Sequence, residues 1–337
     1  MPKVGSNGSL RFGSDAEPGI RRRGRTRFTY VNEQTGRSPS SKELERIRAL
    51  AVPPAWTDVW IAKDAASHLQ ATGRDAKGRK QYRYHADFTA SQSEDKFADL
   101  VAFGTALGRL RRRVDRDLRS NALDHDGVVA VVVRLLDLTG LRVGNPEYAR
   151  TNKSFGLTTL RDRHAVVRGS TINLTFRGKS AHEFDISVDN ARLARLVRRC
   201  QNLPGQQLFQ YRTADGELRA IGSTDVNAYL AEHGNVSMSA KAFRTWNATV
   251  FAAEGFVQAA DDDGEPSARV VNEVIDQVAG ELGNTRAVCR TSYIHPAVVE
   301  SYLDGTLVTK WRRPVGTRPA GITVVERRVL RLLKSAR

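Results

Sequence analysis

Near Ser91 the spacing of apolar residues changes period, and no other feature restricts the possible folds as much. Before it, from Thr26 to about Ala90, short segments are separated by turn residues: R-F-T-Y-V, D-V-W-I-A, H-L-Q-A-T and K-Q-Y-R-Y-H. Such segments read as strands with one buried face. One helix is expected among them, over Ser41 to Leu50, capped by Ser40 or Ser41 and followed by Pro53-Pro54. Gly73 to Lys80 reads as a hairpin turn. After Ser91, the residues Phe97, Leu100, Val101, Leu107, Leu110, Val114 and Leu118 recur at helical spacing. Residues 1–20, rich in Gly, Ser and charge, are expected to be a flexible tail. The chain should then divide into that tail, a β-rich domain over 21–91 and a mainly helical domain over 92–337.

Within the second domain Val128 to Leu138 has the β-branched content of a strand. Its length and the Asp137-Leu-Thr-Gly ending favour a helix. Three strands are expected next, His164 to Arg168, Thr171 to Arg177 and Glu183 to Val188, with a turn over Gly178 to Ala181. Helices are predicted over 191–200, 224–233, 239–253, 267–282 and 296–304, the last starting at Pro296. A basic helix, Val325 to Arg337, ends the chain. The fold class expected is α+β: a small N-terminal antiparallel sheet with short helices, and a larger, mainly α-helical domain carrying a small sheet.

Charge narrows the partner. Fifty-three Lys and Arg against 37 Asp and Glu give a formal net charge of +16. Such an excess points to a polyanion or an anionic membrane. The longest apolar run, Val128 to Val133, stops at Arg134 and is too short to span a bilayer. The start, M-P-K-V-G-S-N-G, lacks the apolar core of a signal peptide, so an intracellular protein is expected. Two cysteines, Cys200 and Cys289, exclude a disulfide framework and a cysteine-rich zinc site. Nucleic acid is the favoured partner.

Four basic clusters and one late tyrosine carry the chemistry: L-R-V-G-N (Leu141 to Asn145), F-R-G-K-S (Phe176 to Ser180), K-A-F-R-T-W-N (Lys241 to Asn247) and L-G-N-T-R…S-Y-I-H-P (Leu282 to Pro296). A phosphodiester under attack by an oxygen nucleophile gains negative charge on its non-bridging oxygens. Guanidinium groups meet that charge with paired, permanently protonated donors. Arg142 and Arg244 are the candidates, although a lone arginine in such a place is usually a surface or salt-bridge residue. Lys179 lies in the hairpin turn, where most lysines are simply solvated. A hairpin tip can also reach a groove, and an ammonium near the leaving 5′-oxygen can donate its proton. F-R-G-K-S is not a phosphate-cradling nucleotide loop, because Asn173 stands where the first glycine should be.

Tyr293 carries a phenol of ordinary pKa ~10, so it needs nearby cations to attack at neutral pH. Its bland alternative is a half-buried core tyrosine. Asn284, in a G-N-T turn, can donate one hydrogen bond to a phosphate oxygen or serve only as a turn residue. No metal site is expected: Asp124-His-Asp126 suits helix capping, and Asp261-Asp-Asp263 reads as an exposed loop. No cofactor is expected either.

DNA-holding features accompany these clusters. Gly73 to His85, G-R-D-A-K-G-R-K-Q-Y-R-Y-H, interleaves cations, among them Arg74, Arg79 and Lys80, with Gln81, Tyr82 and Tyr84. Cations can bind phosphates while Gln and Tyr reach base edges; the alternative buries the tyrosines in a core. Six arginines between Arg109 and Arg119 form either a solvated helix face or a backbone-binding one, and Arg21 to Arg27 is a third basic patch.

With these motifs in this order, the chain resembles the type IB DNA topoisomerases of the small bacterial and poxvirus kind, from about Arg27 to about Tyr302. The resemblance rests on G-R-D-A-K-G-R-K-Q-Y-R-Y-H, L-R-V-G-N…N-K-S-F-G-L-T-T-L, F-R-G-K, K-A-F-R-T-W-N-A-T and S-Y-I-H-P. It implies that Tyr293 is the nucleophile, that Arg142 and Arg244 stabilise the transition state and that Lys179 is the general acid. It implies too that Gln81, Tyr82 and Tyr84 touch DNA in the major groove, and that two domains close as a clamp around duplex DNA. Many relatives carry histidine where Asn284 stands; asparagine can still donate a hydrogen bond but cannot ionise. The expected reaction is relaxation of supercoiled duplex through a 3′-phosphotyrosyl intermediate, resealed by the 5′-hydroxyl, without ATP or metal. A monomer in the cytoplasm, associated with the nucleoid, is expected. The rivals are a tyrosine recombinase and a non-catalytic DNA-binding protein of the same fold. A recombinase usually carries His three residues before the second Arg, where this chain has Lys241.

Overall fold

A computed structural model describes residues 10–120, 122–234 and 238–336. The chain divides into two compact units, Met1–Lys96 and Phe97–Arg337.

The first unit is a five-stranded antiparallel sheet. It contains β1 (Ile20–Arg23), β2 (Thr29–Asn32), β3 (Thr57–Ile61), β4 (Leu69–Arg74) and β5 (Lys80–Tyr84), in the order β2-β1-β3-β4-β5. Helix α1 (Ser41–Ala49) begins with a capping box in which Glu43 and Ser40 satisfy each other's backbone N–H groups. Its Ile47 joins Ile20, Val59, Ile61 and Ala71 in a small core. Strand alternation sends Trp60, Ala62 and Leu69 to a second cluster.

Residues 10–19, expected as part of a loose tail, instead form a strap on the sheet. Arg11 N donates to Ala66 O (2.9 Å), His68 N to Arg11 O (2.8 Å) and Trp60 Nε1 to Glu17 O (2.9 Å). Composition missed it because the partners lie some fifty residues away. The rest of the expected tail, 1–9, lies outside the described residues. The basic patch Arg21 to Arg27 is likewise part structure: its first three arginines belong to β1, and Arg21 pairs with Glu33 at 2.7 Å.

In the second unit the helical reading holds. Helix α2 (Ala86–Ser120) starts five residues before the change of pattern at Ser91, and its later part belongs to this unit. Then follow α3 (His125–Thr139), α4 (Pro146–Asn152), a sheet of β6 (Ala165–Arg168), β7 (Thr171–Arg177) and β8 (Glu183–Asp189), and α5 (Ala191–Gln201). The hairpin β9 (Gln210–Arg212) and β10 (Leu218–Ala220) leads to α6 (Ser223–Gly234), α7 (Ala240–Asp263), α8 (Ala268–Leu282), α9 (Arg286–Ser292), α10 (Pro296–Leu303), α11 (Leu307–Arg312) and α12 (Val324–Ser335). Helix α7 is the hub, packed against α3, α6, α8, α10, α11 and α12. Phe243, Trp246 and Phe256 on it are fully buried.

Val128 to Leu138 is indeed helical, capped by Asp124, whose Oδ1 accepts from Gly127 N at 2.8 Å. The expected loop Asp261-Asp-Asp263 is instead the last turn of α7, because nothing breaks the helix before Gly264; Asp261 pairs with Arg312 at 2.8 Å. No helix among the described residues is long and apolar enough to cross a membrane.

The arginine-rich face of α2 is partly internal. Arg111 forks between Asp137 (2.8 Å) and Glu326 (2.7 Å), and Glu326 also accepts from Trp246 Nε1 at 3.1 Å. This buried network ties α12 to α2, α3 and α7. Burial pushes the Glu326 carboxyl up, but the hydrogen bonds and charge of Arg111, with the bonds from Thr323 N and Trp246, together outweigh that and leave it below the ordinary glutamate value. We predict that Glu326→Ala costs about 3 kcal/mol, since it strips a partner from a buried guanidinium; denaturant unfolding of the full chain measures it. Because the net shift is downward, the contribution is complete above pH ~4.3 and fades as acid protonates the native carboxylate.

Candidate active site

Two helix C-termini build the site. Helices α3 and α8 both end at a glycine in the left-handed region, Gly140 (φ 60°) and Gly283 (φ 58°), a conformation other residues adopt at a cost. Their last carbonyls carry partial negative charge and suit cations. Arg244, on the second turn of α7, donates from Nη1 to Gly140 O and from Nη2 to Leu282 O at 2.8 Å. Arg142, two residues past Gly140, donates from Nη1 and Nη2 to Gly283 O at 3.4 and 3.3 Å, and from Nη2 to Asn284 Oδ1 at 2.5 Å. Each guanidinium is therefore oriented by backbone carbonyls, two of which belong to the cluster L-G-N-T-R.

Tyr293 completes the cluster. The Arg244 Cζ lies 5.1 Å from the centre of its ring. Burial pushes Arg142 down to about 10; the charge of Arg244 pushes the same way and Tyr293 opposes it. Burial also lowers Arg244, only 3% exposed, against the pull of Tyr293. Arg142 therefore remains protonated near neutral pH. Among the described residues, Arg244 Nε and Asn284 Nδ2 are buried donors without an acceptor. Leaving such groups unpaired costs about 1–3 kcal/mol each, which an anionic oxygen from a substrate would recover.

Thr249, fully buried on α7, holds the backbone at Tyr293 and His295. Its hydroxyl accepts from His295 N at 3.1 Å and lies 3.2 Å from Tyr293 O and 2.7 Å from Thr245 O as a donor. Sequence reasoning passed over it, although it sits in the motif K-A-F-R-T-W-N-A-T. Thr249→Val keeps the shape and removes these bonds. It should slow single-turnover cleavage about tenfold while leaving DNA affinity unchanged.

Lys179 stands, as expected, at the tip between β7 and β8, and it is exposed. Its hairpin is anchored beside the loop that holds Arg142: a Cβ on Gly283 would meet Phe184 Cζ at 2.6 Å and His182 Cδ2 at 2.7 Å. The two thiols are poorly suited to nucleophilic attack. Burial pushes Cys289 up to about 11 and Cys200 up to about 12.

In the first unit Tyr82 and Tyr84 project from β5 about half exposed, 47% and 45%, rather than entering a core. Their rings stack at 6.0 Å and 8°. Asp75 organises the turn, accepting from Arg79 and, at 2.9 Å, from Gln81 Nε2; the Arg79 hydrogen bond holds its carboxyl down at about 2. Lys80 pairs with Asp15 at 2.6 Å, and Arg74 Nη1 donates to Gly78 O at 3.0 Å.

Comparison with known proteins decides the class. The catalytic core of eukaryotic DNA topoisomerase I matches residues 85–312, and the N-terminal domain of bacterial DNA topoisomerase IB matches residues 27–75. The chain belongs to the type IB DNA topoisomerase family. It is an enzyme, an isomerase. DNA topoisomerase 1B of Acanthamoeba polyphaga mimivirus is 29% identical over 284 residues, 82% of this chain and 84% of that protein. DNA topoisomerase 1B of vaccinia virus (strain Copenhagen) is 23% identical over 167 residues, 48% of this chain and 52% of that protein. DNA topoisomerase 1 of Mycosarcoma maydis is 26% identical over 223 residues, 59% of this chain and 22% of that protein. The match spans the arginine pair, Lys179 and Tyr293, and favours topoisomerase over recombinase.

Proposed function

We propose that the enzyme relaxes supercoiled duplex DNA with Tyr293 as nucleophile. The phenol oxygen attacks a backbone phosphorus, its proton passing to water, and the bond from phosphorus to the 5′-oxygen breaks. The 3′ end is then esterified to Tyr293, and Lys179 gives its proton to the departing 5′-oxygen. Arg142, Arg244 and the Asn284 amide take the charge that builds on the non-bridging oxygens. Rotation releases supercoils, and the 5′-hydroxyl reverses the step. The ester conserves the energy of the broken bond, so nothing in the cycle calls for ATP.

The observation that carries this reading is the convergence of one buried and one partly buried guanidinium group on one tyrosine, each anchored by helix-terminal carbonyls. The first unit serves as the DNA-binding domain, over about 21–91, through Gln81, Tyr82, Tyr84, Arg74, Arg79 and Lys80. The second, 92–337, is catalytic, and one monomer clamps the duplex. A net charge of +16 suits residence on the nucleoid in the cytoplasm. Detergent trapping of the adduct followed by peptide mapping tests the core claim: the modified residue should be Tyr293, and attachment elsewhere refutes it.

Lys179→Ala should slow cleavage about 10²–10⁴-fold, because the 5′-alkoxide then leaves unprotonated. Replacing that oxygen with sulfur, a better leaving group, should restore most of the rate. A variant equally slow on both substrates would remove Lys179 from the acid role.

A further inference from the structure

The strap carries a feature that the hairpin reading leaves unused. Phe12 is 54% exposed, more than either hairpin tyrosine, yet it is not isolated. Its ring lies 4.6 Å from His68 and 6.0 Å from Phe88. Those two rings lie 6.1 and 5.4 Å from Tyr84, which stacks on Tyr82. One continuous aromatic stripe therefore runs from the edge strand β5 to the strap. Single exposed apolar side chains are ordinary, but a contiguous exposed patch marks a contact surface.

The stripe is also held rigid. The two residues flanking Phe12 are tied to the sheet: Arg11 N donates to Ala66 O, His68 N to Arg11 O, and Gly13 N to His68 Nδ1 at 3.2 Å. A side chain fixed in this way loses little freedom on binding. Nearby cations already have partners, Arg11 with Glu17 at 2.5 Å and Lys80 with Asp15 at 2.6 Å. What the rings of the stripe add beside these cations is exposed apolar surface. In the major groove, which admits a two-stranded β-ribbon, the apolar group on a base edge is the 5-methyl of thymine.

We propose that Phe12 extends the DNA-reading surface of Tyr82 and Tyr84 and packs against thymine methyl groups in the major groove, making it a specificity-determining residue. This inference rests on the reading that Tyr82 and Tyr84 face duplex DNA. The occupant is duplex, because the chain belongs to a DNA topoisomerase family and the stripe continues from the edge hairpin of the sheet.

The test uses the full chain and two duplexes of one sequence, with thymine or with deoxyuridine, which lacks only the methyl. Affinities are measured at one salt concentration. Removing the methyl should weaken the unaltered protein about fourfold for each methyl buried. Phe12→Ala should weaken binding to the thymine duplex by a similar factor and should be indifferent to the exchange. Phe12→Leu, which keeps an apolar side chain, should retain part of the discrimination. Equal losses on both duplexes, or no loss for Phe12→Ala, overturn the proposal. Tyr82→Ala and Tyr84→Ala separate the two levels: if they also bind normally, the DNA-facing reading of this sheet edge fails. If only Phe12→Ala binds normally, that reading stands and this inference alone fails.

Discussion

Tyr293→Phe should leave DNA binding intact and abolish relaxation, a loss on the order of 10⁶-fold, as removal of a covalent nucleophile can cause. The substitution removes one oxygen from a half-buried ring. Packing beneath Arg244 is kept, and the backbone of Tyr293 stays tied to Thr249. No protein–DNA adduct should appear on a denaturing gel, while a binding assay should match the unaltered enzyme. Relaxation at a normal rate by this variant would remove the central assignment.

Arg244→Ala should slow strand cleavage about 10³-fold, the scale of losing a preorganised donor to a charged transition state. Resealing passes through the same transition state in reverse, so it should slow by the same factor. The fraction of covalent complex at equilibrium should then be unchanged while both rates fall. Arg244→Lys should recover little of the rate, because an ammonium cannot satisfy Gly140 O and Leu282 O together in the planar fork that orients the group. Single-turnover cleavage and religation assays read both rates, with thermal unfolding as the control for a buried substitution. A shifted equilibrium with one rate untouched contradicts a transition-state role.

Local pattern made much of this molecule readable. The period-two segments became β2 to β5, and the run from Val128 became α3 because its Thr-Gly ending is a helix C-cap. Asn190 caps α5, and Pro296 opens α10, where a missing N–H is harmless. These signals lie within a few residues of what they specify. Errors gathered where the partner is remote: the strap over 10–19 looked like tail, and Arg111 looked like part of a solvated face. The extra turns of α7 were missed because three consecutive aspartates suggest a loop, although one of them is paired with Arg312.

The candidate site divides along the same line. Chemical identity was open to reading: which residues are guanidinium, ammonium, amide and phenol, and in what order, follows from the chain alone. Their aim was not. Arg244 takes its direction from carbonyls of residues 140 and 282, Arg142 from residue 283, and Tyr293 from a hydroxyl on another helix. Backbone carbonyls carry no side-chain signature, and pairs 38 to 141 residues apart leave no periodicity. Composition and spacing name the reagents, whereas packing α3, α7 and α8 against one another sets the distances at which those reagents can act.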